Sequence, residues 1–238
     1  SFCDKYDINA IIMTCWSRYD NPSFAKVTAG ASKHKSFCGV NGLDEPIYED
    51  FPSIFAEQEN FHKAFKDKIF YVNMVNCNVP QKFIATDESI HYDKLVDVYK
   101  QLLNKISFDK TASMTIYPLM VDTESGDPIL HPKHLQCLEI LSEIAHDTDS
   151  EMYFFVQTMP FRDTHRKPSL EDLYFQVNSG LAFGAKGVQY FCYRTPEPNW
   201  EFNDKQYAMI LKDGTKTDTY FNVKEVNEFK NLSNSFPL

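Results

Sequence analysis

The sequence predicts a single α/β domain built on a parallel sheet, and three observations predict it. Short apolar runs alternate with longer segments of helical period along the whole 238 residues. The chain is 43% hydrophobic and 15% aromatic, enough to bury one substantial core at this length. Polar residues gather just after the C-terminal ends of the apolar runs, which in a barrel make up one face.

Six runs read as strands. In order they are "INAIIMT" (Ile8 to Thr14), "SFCGVNG" (Ser36 to Gly42), "IFYVNMV" (Ile69 to Val75), "ASMTIY" (Ala112 to Tyr117), "MYFFVQT" (Met152 to Thr158) and "GVQYFCY" (Gly187 to Tyr193). They are apolar almost throughout, as strands covered on both faces should be. Pro46, after the second run, is expected to start a helix. "YDKLVDVYKQLLNKI" places Leu95, Val98, Leu102 and Ile106 on one helical face, and "HPKHLQCLEILSEIAH" does so with Leu135, Leu138, Leu141 and Ile144. Ser169 followed by Asp172 is a capping-box start for the helix "LEDLYFQVNSGLAFG", and Gly184 is its stop. Near the end, Asp213-Gly214 between two apolar or alternating flanks predicts a β-hairpin in a loop above the sheet.

Two parallel folds compete, an open doubly wound sheet and a (β/α)8 barrel of the TIM type. The first commonly carries a GxGxxG phosphate turn, which is missing here. The barrel accounts for Trp16 and Arg18, Asp44 and Glu45, Asn73 and Asn76, Tyr117, Gln157, and Tyr193 and Arg194, all at or just beyond strand ends.

A net charge of −9 argues against nucleic acid or an anionic membrane as the main partner, since both reward clustered Lys and Arg. No apolar run is long enough to span a bilayer. The six cysteines form no CxxC pair, and four of them, Cys15, Cys38, Cys77 and Cys192, fall in or at the ends of apolar runs, where a free cysteine behaves as a small hydrophobe. His131 and His134 in "HPKH" lack a third ligand at a recognisable spacing, so neither a metal nor another cofactor is expected.

"GLDEP" after a strand, "KIFYVNMVN", "IYPL", "MYFFVQTMPF" and "SGLAFGAKGVQYFCYRTP", in that order, resemble the barrel domain of bacterial glycoside hydrolase-like proteins. These are common in gut Bacteroidetes and distantly similar to family 42 β-galactosidases. The resemblance covers nearly the whole chain. It implies that "INAIIMTCW" is the third strand of the barrel and "VQYFCY" the eighth. The barrel would then be incomplete, with about six βα units and the first two strands missing, and residues 1–238 would be one domain cut from a longer chain. It also implies a carbohydrate ligand and a periplasmic or extracellular location, with the cytoplasm as the alternative.

Glycoside hydrolysis needs a carboxylic acid for the leaving oxygen and, in retaining enzymes, a second carboxylate about 5 Å away. In the resemblance, Glu45 after the fourth strand matches the general acid. Asp44 stands where the family pattern has a sugar-binding Asn. Alone, "DEP" is equally a helix start, where carboxylates favour the dipole. Gln157 occupies the place of the nucleophile and cannot attack an anomeric carbon. Asp122, Glu124, Asp163 and Glu197 are loop acids that an inverting mechanism would need at about 6.5–9.5 Å. Trp16, Asp44, Asn73, Tyr117, Gln157, Tyr193 and Arg194 are the expected substrate contacts, with Phe161, Tyr190 and Trp200 as further aromatic candidates. The alternative is a catalytically degenerate barrel that binds glycan or serves structure.

Overall fold

The computed structural model describes residues 1–13 and 22–233. In chain order the elements are α1 (Phe2–Tyr6), β1 (Ala10–Met13), α2 (Pro22–Ala31), β2 (Phe37–Asp44), α3 (Phe51–Ala64), β3 (Ile69–Met74), α4 (Tyr92–Lys105) and β4 (Thr111–Met114). There follow β5 (Leu119–Val121), β6 (Pro128–Leu130), α5 (His134–Thr148), β7 (Glu151–Gln157), α6 (Leu170–Ala182), β8 (Gly187–Phe191) and α7 (Asp218–Ser233). All six expected strands are present within a residue or a few of their predicted ends. The chain divides into two compact units, Ser1–Thr115 with Ile140–Met152, and Ile116–Glu139 with Tyr153–Leu238.

In the first unit β1, β2, β3 and β4 lie side by side in that order, each parallel to the next. Parallel neighbours require a crossover, and α2, α3 and α4 supply it. The inner side of α4 reads as predicted, since Leu95, Val98, Leu102 and the following Ile106 are all buried. Tyr99 lies on that side too, and its hydroxyl enters the sheet. It donates to the Val72 carbonyl at 3.0 Å and accepts the Ser113 N–H at 3.0 Å, bridging β3 and β4 next to the pairs Asn73–Ser113 and Met74–Met114. Burial pushes this phenol well above its ordinary pKa, so it stays protonated and keeps both bonds.

Between β2 and β3 the register slips. Asn41 faces Tyr71, but Leu43 then faces Val72 and Asp44 faces Asn73, with Gly42 as the extra residue. Side chains alternate between faces along a strand, so one inserted residue exchanges the faces of everything beyond it. Without the bulge Leu43 would stand opposite Asn73, and Asp44 would point to the other side. Gly42 allows this because a Cβ there would lie 2.4 Å from the Phe70 ring.

Pro46 does not start the next helix. The chain makes a 3-10 turn over Tyr48–Asp50, and α3 begins at Phe51 with Pro52 in its first turn. Glu45 takes a left-handed φ of 48°, a conformation that cannot lead straight into a right-handed helix.

In the second unit β7 and β8 are parallel, with α6 as their crossover. Ser169 and Asp172 form the predicted capping box, and Gly184 follows the end of α6 at φ 94°. Arg166 also grips Asp172 through both carboxylate oxygens, at 2.5 and 2.7 Å. Three sequence expectations need correction. The buried stripe of α5 is His134, Cys137, Leu138, Leu141, Ile144 and Ala145, whereas Leu135 is 53% exposed. The stripe keeps its helical period but sits one residue away from the predicted start. The segment after β4 forms an antiparallel hairpin, β5 with β6, that the sequence reading treats as loop. Asp122 holds its turn by accepting the N–H groups of Glu124 and Ser125, each at 2.9 Å.

The third correction concerns residues 207–221. A turn does form there, with the Leu211 N–H donating to the Thr215 carbonyl at 2.9 Å, but only Ile210 and Lys216 pair across it. Tyr220 and Phe221 belong to α7. The second flank is consumed as a helix start, and Ile210 spends its backbone on Tyr193 and Thr195 instead. Among the described residues no helix is long and apolar enough to cross a membrane.

Candidate active site

The C-terminal ends of β2, β3 and β4 carry a connected set of polar side chains in the first unit. Asn73 is its centre. Its side-chain Nδ2 donates to Asp44 Oδ1 at 3.0 Å and to Thr115 Oγ1 at 2.6 Å, while its Oδ1 accepts from Ser113 Oγ at 2.9 Å. Ser113 Oγ lies 2.5 Å from the Tyr71 hydroxyl. Ser113 has one proton and gives it to Asn73, so Tyr71 is the donor in that contact. The Asn73 carbonyl accepts the Glu45 N–H at 2.9 Å, which fixes the backbone on which the Glu45 carboxylate is carried.

Asn73, Ser113, Thr115 and Tyr71 are buried, Asp44 is half-buried and Glu45 is exposed. The carboxylates thus stand at the outer rim of a buried hydrogen-bonded base. Asn41, opposite Tyr71 in the register, adds a buried side-chain oxygen that accepts no hydrogen bond. Barrel strands usually carry bulky branched apolar residues on such a face, and a polar one needs a reason beyond packing. Asn76 is committed locally, its Oδ1 accepting the Asn78 N–H at 2.9 Å.

Most other predicted contacts belong to the second unit. Gln157 is 0% exposed and its amide is used within the fold. Oε1 accepts the Leu119 N–H at 3.2 Å, and Nε2 donates to the carbonyls of Arg166 at 2.8 Å, Leu119 at 3.3 Å and Met159 at 3.4 Å. Gln176 of α6 in turn clasps the Gln157 backbone through both its amide atoms, at 2.8 and 3.3 Å. Gln157 therefore ties the start of β5 and the loop after β7 to the end of β7.

Tyr117 packs edge-on against Phe161, ring centres 5.1 Å apart, and lies 5.4 Å from Phe191. Phe161 itself is buried in the cluster with Met159, Phe202 and Ala208. Tyr190 donates to Asn227 Oδ1 at 2.6 Å, and burial pushes its phenol up to about 12. Tyr193 is 58% exposed, and Arg194 donates to the Lys212 carbonyl at 3.1 Å. Trp200 is exposed, with the Arg162 guanidinium 5.0 Å from its ring. Trp16 and Arg18 lie outside the described residues.

Of the four loop acids, Asp122 is engaged by its hairpin turn and Glu197 pairs with Lys212 at 2.8 Å. Both carboxyls are held below the ordinary range, Asp122 by backbone N–H groups and Glu197 first by the bond to Lys212. Glu124 and Asp163 are exposed. No three His, Cys, Asp or Glu side chains come together as a metal site among the described residues. His131 Nδ1 accepts the Lys133 N–H at 3.1 Å.

Sequence reasoning missed Ser113, Tyr71 and Tyr99 as members of the network. For Tyr71 and Ser113 the available signal was a polar residue inside an otherwise apolar strand. No family model matches the chain, and among curated proteins there is no match. Among solved structures it is similar to a "putative alpha-L-fucosidase" from Bacteroides thetaiotaomicron, at 10% identity and a TM-score of 0.56. The likeness is one of fold. The alignment covers 90% of this chain but only 63% of that one, so the chain spans less than two thirds of its structural relative. An endo-beta-1,4-mannanase from Thermotoga petrophila is also similar, at 10% identity and a TM-score of 0.47, with 88% of this chain and 51% of the other covered. Both are proteins of the glycoside hydrolase kind. Parallel βα units of this sort are consistent with part of a TIM-like barrel.

A buried and a half-buried histidine in the second unit give stability a pH dependence. His134 lies against Phe175, with ring centres 5.5 Å apart, and neither ring nitrogen has a hydrogen-bond partner. His165 stacks on Phe161 at 4.0 Å. Burial first, and neighbouring positive groups second, push both down to about 4. The unfolded chain then takes up protons earlier than the folded one as pH falls. Their contribution is complete above the unfolded value of about 6.5 and is lost progressively from there down to about pH 4. The urea midpoint should drop between pH 7.5 and pH 5, and His134→Phe should flatten that drop. An equal drop in the variant would remove His134 from the explanation.

Proposed function

We propose that this chain is the core of a glycoside hydrolase-like barrel that acts on carbohydrate at the C-terminal ends of its strands, with Glu45 as the general acid. The reading is carried by the Asp44–Asn73–Thr115 network, which puts a carboxylate pair on a buried polar base where parallel α/β folds keep their ligands. The fold likeness to proteins of the glycoside hydrolase kind supports carbohydrate as the substrate class. In this reading Glu45 protonates the leaving glycosidic oxygen, and Asp44 accepts a sugar hydroxyl. A secreted setting, periplasmic or extracellular, fits an enzyme of this kind.

One observation favours a second reading, a barrel that binds glycan without cleaving it. Gln157 stands where the resemblance places the nucleophile, and its side chain is spent on three carbonyls and one N–H of the fold. Turnover of a panel of aryl glycosides separates the two. General acid catalysis contributes on the order of 10²–10⁴ in rate. Glu45→Gln should therefore lower kcat/KM by about 10²-fold or more on any substrate the wild type cleaves. Unchanged turnover in Glu45→Gln removes Glu45 from the mechanism. Saturable glycan binding with no turnover by wild type selects the second reading.

A further inference from the structure

We propose that Asn73 is a positioning residue for the Asp44–Glu45 pair and does not itself hold sugar, an inference that rests on the placement of the acidic pair just proposed. The argument is one of hydrogen-bond capacity. An asparagine amide has two N–H hydrogens and a carbonyl oxygen with two lone pairs. Both Nδ2 hydrogens are committed, to Asp44 Oδ1 and Thr115 Oγ1, and Ser113 Oγ occupies the oxygen. The side chain is 2% exposed. One lone pair of the oxygen remains, but at this burial a sugar hydroxyl could reach it only by moving one of these partners.

The orientation of the amide also follows from its surroundings. Asp44 as an ionised carboxylate can only accept, so the nitrogen must face it and the oxygen faces Ser113. Ser113 then donates to that oxygen and accepts from Tyr71. A flipped amide would set oxygen against carboxylate and N–H against a donating hydroxyl. Polarity thus runs one way, from the Tyr71 hydroxyl through Ser113 and Asn73 to Asp44, and each donor strengthens the next. The same residue accepts the Glu45 N–H with its main-chain carbonyl. One buried residue thereby fixes the Asp44 carboxylate and the Glu45 backbone together. Tyr71 is the titratable side chain that the network links to the pair.

The test uses Asn73→Asp, which keeps the shape and replaces the donor by an acceptor, and Ser113→Ala, which removes the donor to the amide oxygen. Carbon-13 NMR titration of the Asp44 and Glu45 carboxyls is the first readout and needs no activity. In Asn73→Asp the Asp44 titration should move up by about one pH unit or more, because a like charge replaces a hydrogen-bond donor. In Ser113→Ala it should move up by a smaller amount. On any aryl glycoside that the wild type cleaves, kcat should fall at least about tenfold with KM within about twofold. A raised KM at unchanged kcat would make Asn73 a sugar ligand and overturn the proposal. So would an unmoved Asp44 titration, which Ser113→Ala alone can decide if Asn73→Asp does not fold. A wild type inactive on every glycoside would defeat the Glu45 assignment, while the NMR titration would still decide the role of Asn73.

Discussion

Gly42→Ala is expected to destabilise the protein by about 3 kcal/mol and to detach Asp44 from Asn73. The added Cβ would lie 2.4, 2.8 and 3.0 Å from three atoms of the Phe70 ring. That ring is buried against Phe61, 5.8 Å away between centres, and has no flexible end that can yield. The strand can relieve the overlap by moving its backbone or by losing the bulge. Either relief alters the register beyond Asn41, and register decides whether Asp44 or Leu43 faces Asn73. Urea unfolding gives the first part of the effect. The second is read as loss of the wild-type Asp44 carboxyl titration. A variant as stable as wild type with that titration intact would show that the bulge does not set the acidic pair.

Gln157→Glu carries the second large effect. It puts a carboxylate where the resemblance places a nucleophile, but the position has no room for one to act. One Glu oxygen could still accept the Leu119 N–H. The other would face the carbonyls of Arg166, Leu119 and Met159, where an amide now donates. A charge left unpaired in such a place costs about 3–5 kcal/mol. Burial among acceptors raises the folded pKa of the new carboxyl above its unfolded value of about 4.3. The variant should therefore come nearest to wild type at low pH, and its deficit should grow as pH rises through the raised folded value. Urea midpoints of variant and wild type at pH 4.5 and 7.5 check the sign. A deficit independent of pH, or new glycosidase activity, would mean that position 157 is open to solvent or substrate.

The outline of the fold was legible because it rests on local features. Continuous apolar runs specify covered parallel strands, and α4 and α6 show helical period or caps within a few residues. Errors arose where a local pattern admitted two outcomes. Leu135 belongs to a helix rich enough in apolar residues to be read in more than one phase, and burial of His134 and Cys137 decides between them. The strands β5 and β6 are three residues each, too short to show alternation.

Asp44 and Glu45 stood out as adjacent carboxylates at a strand end, but their support did not. The bonds from Asn73 to Asp44 and Thr115 span 29 and 42 positions of sequence. Which residues meet there depends on one bulge, and a bulge is visible only once strands are paired. Gln157 shows the converse. Its place was legible, but its burial follows from the hairpin and loop folded over it.

Tyr99 makes the outer layer a participant in the sheet. Its hydroxyl closes the gap between Val72 and Ser113, one step from the residues that hold Asp44. The spacing of β3 and β4 is thus shared between strand and helix. A transplant of α4 from another α/β protein would carry the right apolar stripe and still leave an N–H and a carbonyl unanswered in the sheet. A change on the outer helix at Tyr99 is therefore also a change to the strand spacing beside the acidic rim.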